Sequence, residues 1–244
     1  MKVLSVGNSF SEDAHRYLHT VASLHGEEIE TFNLYIGGCS LERHWENYLN
    51  EAEEYDLEIN GEDPSRKISI NEALTMTDFD VITLQQVSGL SGIYDSYHPY
   101  LKNLSDVIRK SQPKAKLMFH RTWSYEIDSA HGDFVLYNND QKQMYDRLCE
   151  ASEKASELIC ADIIPTGTVI QMLRETVPEF DYRNGGISLC RDGFHLSLDL
   201  GRFTAACVWF RTLTGNKVNI ESFEKLDKSL VRKITDTINN PALM

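Results

Sequence analysis

Proline and glycine are scarce, 6 and 14 among 244 residues, which excludes collagen-like and low-complexity chains. No run approaches the roughly 18 consecutive apolar residues that a membrane-crossing helix needs. The opening MKVLSVGNSF lacks the apolar stretch of a secretion leader, so the expectation is a cytoplasmic protein. A periplasmic or secreted chain trimmed of its leader would read the same. Positive charge is also short: 24 Lys and Arg stand against 37 Asp and Glu, a net charge of -13. That balance repels polyphosphate backbones, and no nucleic-acid partner is expected. The 5 cysteines are widely spaced and form no CxxC pair, so neither a zinc knuckle nor a redox motif is read from them. His15, His19, His25, His44 and His131 show no metal-ligand spacing, and neither GxGxxG nor GxxxxGK[ST] occurs. No metal and no cofactor are expected.

What is present is a chain long enough to bury a continuous core, with 41% hydrophobic and 25% charged residues. It has no Pro/Gly/Ser-rich linker and no internal repeat, so one domain is expected over residues 1–244. Short β-rich apolar runs at Lys2–Val6, Ile29–Ile36, Asp80–Leu84, Ala115–His120 and Asp162–Gly167 predict five strands. Apolar residues at helical spacing predict helices over Glu12–Leu24, from Leu41, over Asn71–Met76, Tyr100–Arg109, about Asn139–Ile159, Val169–Thr176 and Leu200–Leu213. The alternation favours a mainly parallel five-stranded sheet covered by helices on both faces. Between Tyr55 and Ile70, YDLEI and RKISI alternate around the turn material GEDP, which predicts a small solvent-facing hairpin inserted in the series. WSYEIDSAHGDFVLYN, Trp123 to Asn138, reads as a long surface loop of the kind that walls a site.

Four groups of residues bear chemistry. Ser9 follows the first strand where a helix begins, at the sheet edge where ligands collect in α/β folds. Its ordinary reading, shared with Ser11, is a helix cap. Asp192 and His195 are three apart in RDGFHLS, so a carboxylate can orient an imidazole that takes a proton from a hydroxyl. A capping Asp beside a packed His is the plain alternative. Gly37 and Gly38 of GGCS permit a turn that aims the Gly38 N–H at an oxyanion, or simply end a strand. Gln85 and Gln86 follow the third parallel strand, where a carboxamide could donate to the same oxyanion.

GNSFS, GGCSLERHW, DVITLQQVS and DGFHLS together resemble the sequence blocks of the SGNH hydrolases, the GDSL-like esterase and lipase superfamily, and especially an uncharacterised bacterial subgroup of it. The resemblance covers about Lys2 to Gly215. It implies a flavodoxin-like three-layer α/β/α sandwich and hydrolysis of carboxylic esters without a metal. It implies Ser9 as nucleophile, His195 as general base and Asp192 as its orienter, with Ser9 and Gly38 N–H groups in the oxyanion hole. The third block departs: QQVS stands where GxND is usual, and the donor role is assigned to Gln86 with Gln85 as alternative. GNS in place of GDS is a milder change.

The substrate class is read from aromatic residues in or beside predicted loops. Trp123, Tyr125, Trp45, Tyr94 and Tyr97 beside polar groups would suit a sugar ring, which points to a short acyl group on a carbohydrate. Trp45, in a helix with Leu41 and Tyr48, reads more readily as core. His120, at the end of a strand before Trp123, is placed with Trp123 and Tyr125 as possible substrate lining, although a satisfied strand-end histidine is the readier reading of it. A competing reading is a carbohydrate-binding domain that keeps the fold and has lost the chemistry. Oligomeric state has no signal in the sequence.

Overall fold

Strand and helix alternate from the first residues in the computed structural model, which describes residues 1–62 and 65–240. Strand β1 (Lys2–Gly7) leads into α1 (Ser9–His15) and α2 (Leu18–Leu24), and β2 (Glu30–Tyr35) into α3 (Leu41–Leu49). A pair of strands, β3 (Tyr55–Ile59) and β4 (Lys67–Ile68), precedes α4 (Ile70–Met76). Then come β5 (Val81–Leu84) with α5 (Tyr100–Ser111), β6 (Lys116–His120) with α6 (Gln141–Ile159), and β7 (Asp162–Ile164) with α7 (Thr166–Thr176). Helices α8 (Leu200–Thr214) and α9 (Lys228–Ile238) close the chain.

One sheet holds seven strands in the order β4-β3-β2-β1-β5-β6-β7, where five were expected. The five expected strands are the parallel ones. The hairpin is no solvent-facing excursion: β3 runs antiparallel to β2, pairing Phe32 with Ile59, and β4 runs antiparallel to β3. Its alternation has a physical use, because β2 would otherwise present an open edge of unpaired backbone groups. Tyr55, Leu57 and Ile68 of the pair are buried in the same core as Phe32 and Leu34. Asp63 and Pro64 of the expected turn lie outside the described residues.

Period-two alternation in the strands sets the layers. Leu4, Val6, Ile82, Leu84, Leu117 and Phe119 face a core shared with α3, α4, α5 and part of α6. Val3, Val81 and Met118 face the opposite core, built with α1, α2, α7, α8 and α9. The result is a three-layer α/β/α sandwich. Helix α8 is buried nearly all round, with Phe203, Trp209 and Phe210 fully enclosed, as expected for the central helix of its layer.

Some boundaries differ from the periodicity. The helix expected over Glu12–Leu24 is two helices, broken at Arg16 and Tyr17, and it starts already at Ser9. The surface loop expected after Trp123 is largely buried at its start and carries a short 3-10 helix over Gly132–Tyr137. Helix α9 has no counterpart among the expected elements.

The face under α1 and α8 also carries polar side chains. Asn33, Ser5 and Thr83 are neighbours in register across β2, β1 and β5. Ser5 Oγ bonds both Thr83 Oγ1, at 2.7 Å, and His15 Nε2, at 2.8 Å. His15 and His120 are buried there and His44 in the other layer, and burial drives all three imidazole pKa values down to about 3. Each therefore resists a proton that the unfolded chain takes up below its ordinary 6.5. Stability rises with pH wherever the unfolded state holds more protons, so it must fall as pH drops from 6.5 toward 3. Urea unfolding at pH 7 and pH 5 is expected to show a clear loss at pH 5, with about three protons taken up per chain on unfolding there. Equal stability at the two pH values would contradict the burial of three neutral histidines.

Candidate active site

Asn8 is the residue that caps α1: its Oδ1 accepts the Phe10 N–H at 3.0 Å, and Ser11 Oγ accepts the Asn8 N–H at 3.1 Å. The cap role that the sequence left to Ser9 or Ser11 is thereby taken. Ser9 occupies the first helical position with its hydroxyl directed elsewhere. Its Oγ lies 2.9 Å from His195 Nε2, and His195 Nδ1 lies 2.7 Å from Asp192 Oδ2. Residues 186 apart in the chain thus form one hydrogen-bonded line. Asp192 Oδ1 also accepts the backbone N–H groups of Phe194 and His195. Partial burial raises the Asp192 pKa, but the His195 hydrogen bond and these two N–H groups outweigh it and hold the carboxyl below its ordinary range. A carboxylate there fixes the imidazole proton on Nδ1, which leaves the Nε2 lone pair facing the serine.

A charge that the spacing patterns did not reveal holds this line together. Asp13, one turn beyond Ser9 on α1, is completely buried. Its carboxylate accepts from Arg191 Nη1 at 3.0 Å, Arg202 Nε at 2.7 Å and the Leu196 N–H at 2.8 Å. Arg191 and Leu196 flank the Asp192–His195 segment, and Arg202 lies on α8. The serine helix and the histidine loop are therefore tied at both ends of the loop. The loop is steadied further by bonds from Trp123 Nε1 to Phe194 O and from the Glu126 N–H to Gly193 O, both 2.7 Å.

Ser9 and His195 open on a cavity of about 410 Å³. Asn8, Phe10, Tyr35, Gly37, Gly38, Val87 and Ser88 line it, together with His131, Asp133 and Phe194. Gly38 has φ of +64°, a left-handed conformation that favours glycine, and it shares the cavity with Ser9. The first-turn amides of Phe10, Ser11 and Glu12 are taken up by Asn8. The Ser9 N–H has no such acceptor among the described residues.

Three expected placements require correction. Gln86 is buried, and its carboxamide is used inside the protein: Nε2 donates to Ser96 O and Oγ, and Oε1 accepts from Leu41 and Val87 N–H groups. It does not reach the cavity. Gln85 is equally buried and donates from Nε2 to Asn8 Oδ1 at 2.7 Å. His120, Trp123 and Tyr125 are buried behind the wall instead of lining it. Trp123 stacks on Phe10 at 4.2 Å, and Tyr125 OH bonds Ser88 Oγ at 2.9 Å. Large aromatics next to a cavity pack most of their area against the protein that shapes it.

These buried residues form a directed chain under Ser9. Asn8 Nδ2 donates to Cys39 O, Gln85 Nε2 to Asn8 Oδ1, and His120 Nδ1 to Gln85 Oε1 at 2.7 Å. His120 Nε2 then accepts from Thr166 Oγ1 at 3.0 Å. The acceptor role of Nε2 follows from the neutral state of the ring, whose pKa burial lowers to about 3. The chain links the ends of β1, β5 and β6 to the loop after β2 and the start of α7. No group of three or more His, Cys, Asp or Glu side chains suited to a metal ion occurs among the described residues.

Residues 2–239 match the family described as a domain of unknown function, DUF4886. The chain belongs to the DUF4886 family. A DUF4886 family protein from Bacteroides uniformis is 39% identical, with a TM-score of 0.91 over 100% of this chain and 95% of that one. Two more distant structures share the fold. A protein from Slackia heliotrinireducens assigned to the SGNH hydrolases is 22% identical, with a TM-score of 0.59 over 87% of this chain and 98% of its own. An acetylxylan esterase from Geobacillus stearothermophilus is 12% identical, with a TM-score of 0.55 over 90% and 96%. Comparison with curated protein sequences returned no significant match.

The Asp13 tie in this DUF4886 chain has a measurable consequence. Asp13→Asn leaves two guanidinium groups facing a neutral amide, and breaking a buried pair of this kind costs about 3–5 kcal/mol. Ser9→Ala removes a single hydroxyl at the cavity and is expected to cost about 1 kcal/mol or less. Urea unfolding of both variants checks the contrast; an Asp13→Asn protein as stable as Ser9→Ala would mean that the carboxylate does not hold the loop.

Proposed function

We propose that this chain is a serine hydrolase of carboxylic esters, working through an acyl-enzyme intermediate on short acyl groups carried by a carbohydrate. The observation that carries the reading is the Ser9, His195, Asp192 line, 2.9 Å and 2.7 Å, at the mouth of a cavity. His195 Nε2 takes the Ser9 proton as Oγ attacks the ester carbonyl. Negative charge on the carbonyl oxygen is met by the N–H groups of Ser9 and Gly38. The imidazolium returns its proton to the leaving alcohol, and the acyl group stays on Oγ. Water, deprotonated by the same nitrogen, then releases the acid and restores Ser9. Asp192 remains ionised throughout, in keeping with its depressed pKa.

With Gln86 committed to Ser96, the oxyanion hole of this proposal has two backbone donors and no side-chain amide. That same observation favours the competing reading, a carbohydrate-binding domain without chemistry. The short Ser9 to His195 contact favours catalysis. The carbohydrate assignment rests on the polar members of the cavity wall, and the shared fold of the acetylxylan esterase agrees with it.

Hydrolysis of 4-nitrophenyl acetate by the parent and by Ser9→Ala separates the two. The variant is expected to lose at least about a thousandfold in kcat, and Asp192→Asn on the order of 10³ to 10⁴. Undiminished turnover by Ser9→Ala would sink the nucleophile assignment. Faster cleavage of long-chain lipid esters than of acetylated sugars would remove the carbohydrate preference.

A further inference from the structure

We infer that His131 and Asp133 form the subsite for the leaving alcohol, and that this subsite takes an uncharged, hydroxylated alcohol and disfavours an anionic one. The inference rests on the serine-hydrolase reading of Ser9 and His195. A general acid has to sit beside the leaving oxygen, so the alcohol departs along the wall that His195 begins. The Phe194 ring lies 4.1 Å from that of His195, and the His131 ring 4.7 Å from that of Phe194. His131 is therefore the next polar group along the wall.

The local bonding sets what the pair offers. His131 Nδ1 accepts the Asp133 N–H at 3.2 Å, so the neutral ring carries its proton on Nε2 and presents a donor. Asp133 supplies the complementary acceptor. Its carboxylate lies against Gly89, where a Cβ would sit 2.0 Å from Oδ2, so only glycine leaves room for it. The Asp133 side chain is 51% exposed and still lines the cavity of Ser9, so the charge keeps its solvation. Adjacent hydroxyls of a polyol can donate to this carboxylate and accept from the imidazole N–H, while the Phe194 ring covers their carbon face.

Charge supplies the selectivity. Among the described residues no Lys or Arg lines this cavity. An alcohol bearing a carboxylate or phosphate would meet Asp133 with no cation to offset it, which is discrimination by repulsion.

The test compares three acetyl esters, a neutral O-acetylated pentoside, an O-acetylated hexuronate and 4-nitrophenyl acetate, with the parent, Asp133→Asn and Gly89→Ala. Ratios of kcat/KM between esters do not depend on the fraction of enzyme that is folded. Asp133→Asn is expected to lower the pentoside to nitrophenyl ratio about tenfold, mainly through KM, the scale of one hydrogen bond to a charged acceptor. It is also expected to raise the hexuronate to pentoside ratio. Gly89→Ala, by displacing the carboxylate, is expected to move both ratios in the same directions. Ratios unchanged in both variants would overturn the subsite while leaving the hydrolase reading intact. A parent that cleaves none of the three esters would overturn the hydrolase reading and the subsite with it.

Discussion

A carboxylate withdrawn completely from water has to be matched by donors, and the match at Asp13 governs how the rest of the site is arranged. Its three partners come from Arg191, Leu196 and Arg202, 178 to 189 residues away along the chain. Removing any of them leaves a buried charge short of a partner, which is far more costly than losing a surface ion pair. Helix α1 and the loop that carries His195 therefore behave as one body. The 2.9 Å contact between Ser9 and His195 follows from that constraint as much as from the two residues that make it. The proposed acyl transfer would tolerate little misplacement, so a rigid tie outside the reacting atoms fits that proposal.

The sheet beneath the site is held by polar contacts where a parallel sheet is ordinarily apolar. Asn8, Gln85, His120 and Thr166 pass hydrogen bonds in one direction across the strand ends, each filling the capacity of the next. A buried network is favourable only when its members are satisfied, and here the neutral His120 makes that possible. The same reasoning explains the glutamine pair. Gln85 holds Asn8, the capping residue of α1, and Gln86 joins the start of α3 to Ser96. Both act by building the cavity from behind.

How much of this was legible in the sequence depends on what kind of signal each feature leaves. Strand and helix order came through in hydrophobic periodicity, because burying one face of an element imposes a repeat. Ser9, Asp192 and His195 were recognisable from their blocks, and the structure brings them into a single line. The pairing of β3 with β2 was not legible: alternation at an edge strand and in an isolated hairpin is the same pattern. Asp13 gives no local signal either, because a buried aspartate and a solvated one look identical until its distant arginines are placed. Trp123 and Tyr125 show a related limit. Their residue types suit a sugar platform, but side-chain area in such a loop is decided by packing, and both turned inward. His131 and Asp133 stand in the same loop without a recognisable motif, and only the cavity brings them next to His195.

The central proposal is that Ser9 is a nucleophile activated by His195 and held in reach of it by Asp13. The most direct measurement is labelling with an alkyl fluorophosphonate, followed by mapping of the modified residue in the parent, His195→Ala and Asp13→Asn proteins. The account predicts a single adduct on Ser9 in the parent, formed at least about a hundredfold more slowly in each variant. An adduct on another residue, or labelling of Ser9 at the parent rate in His195→Ala, would contradict it.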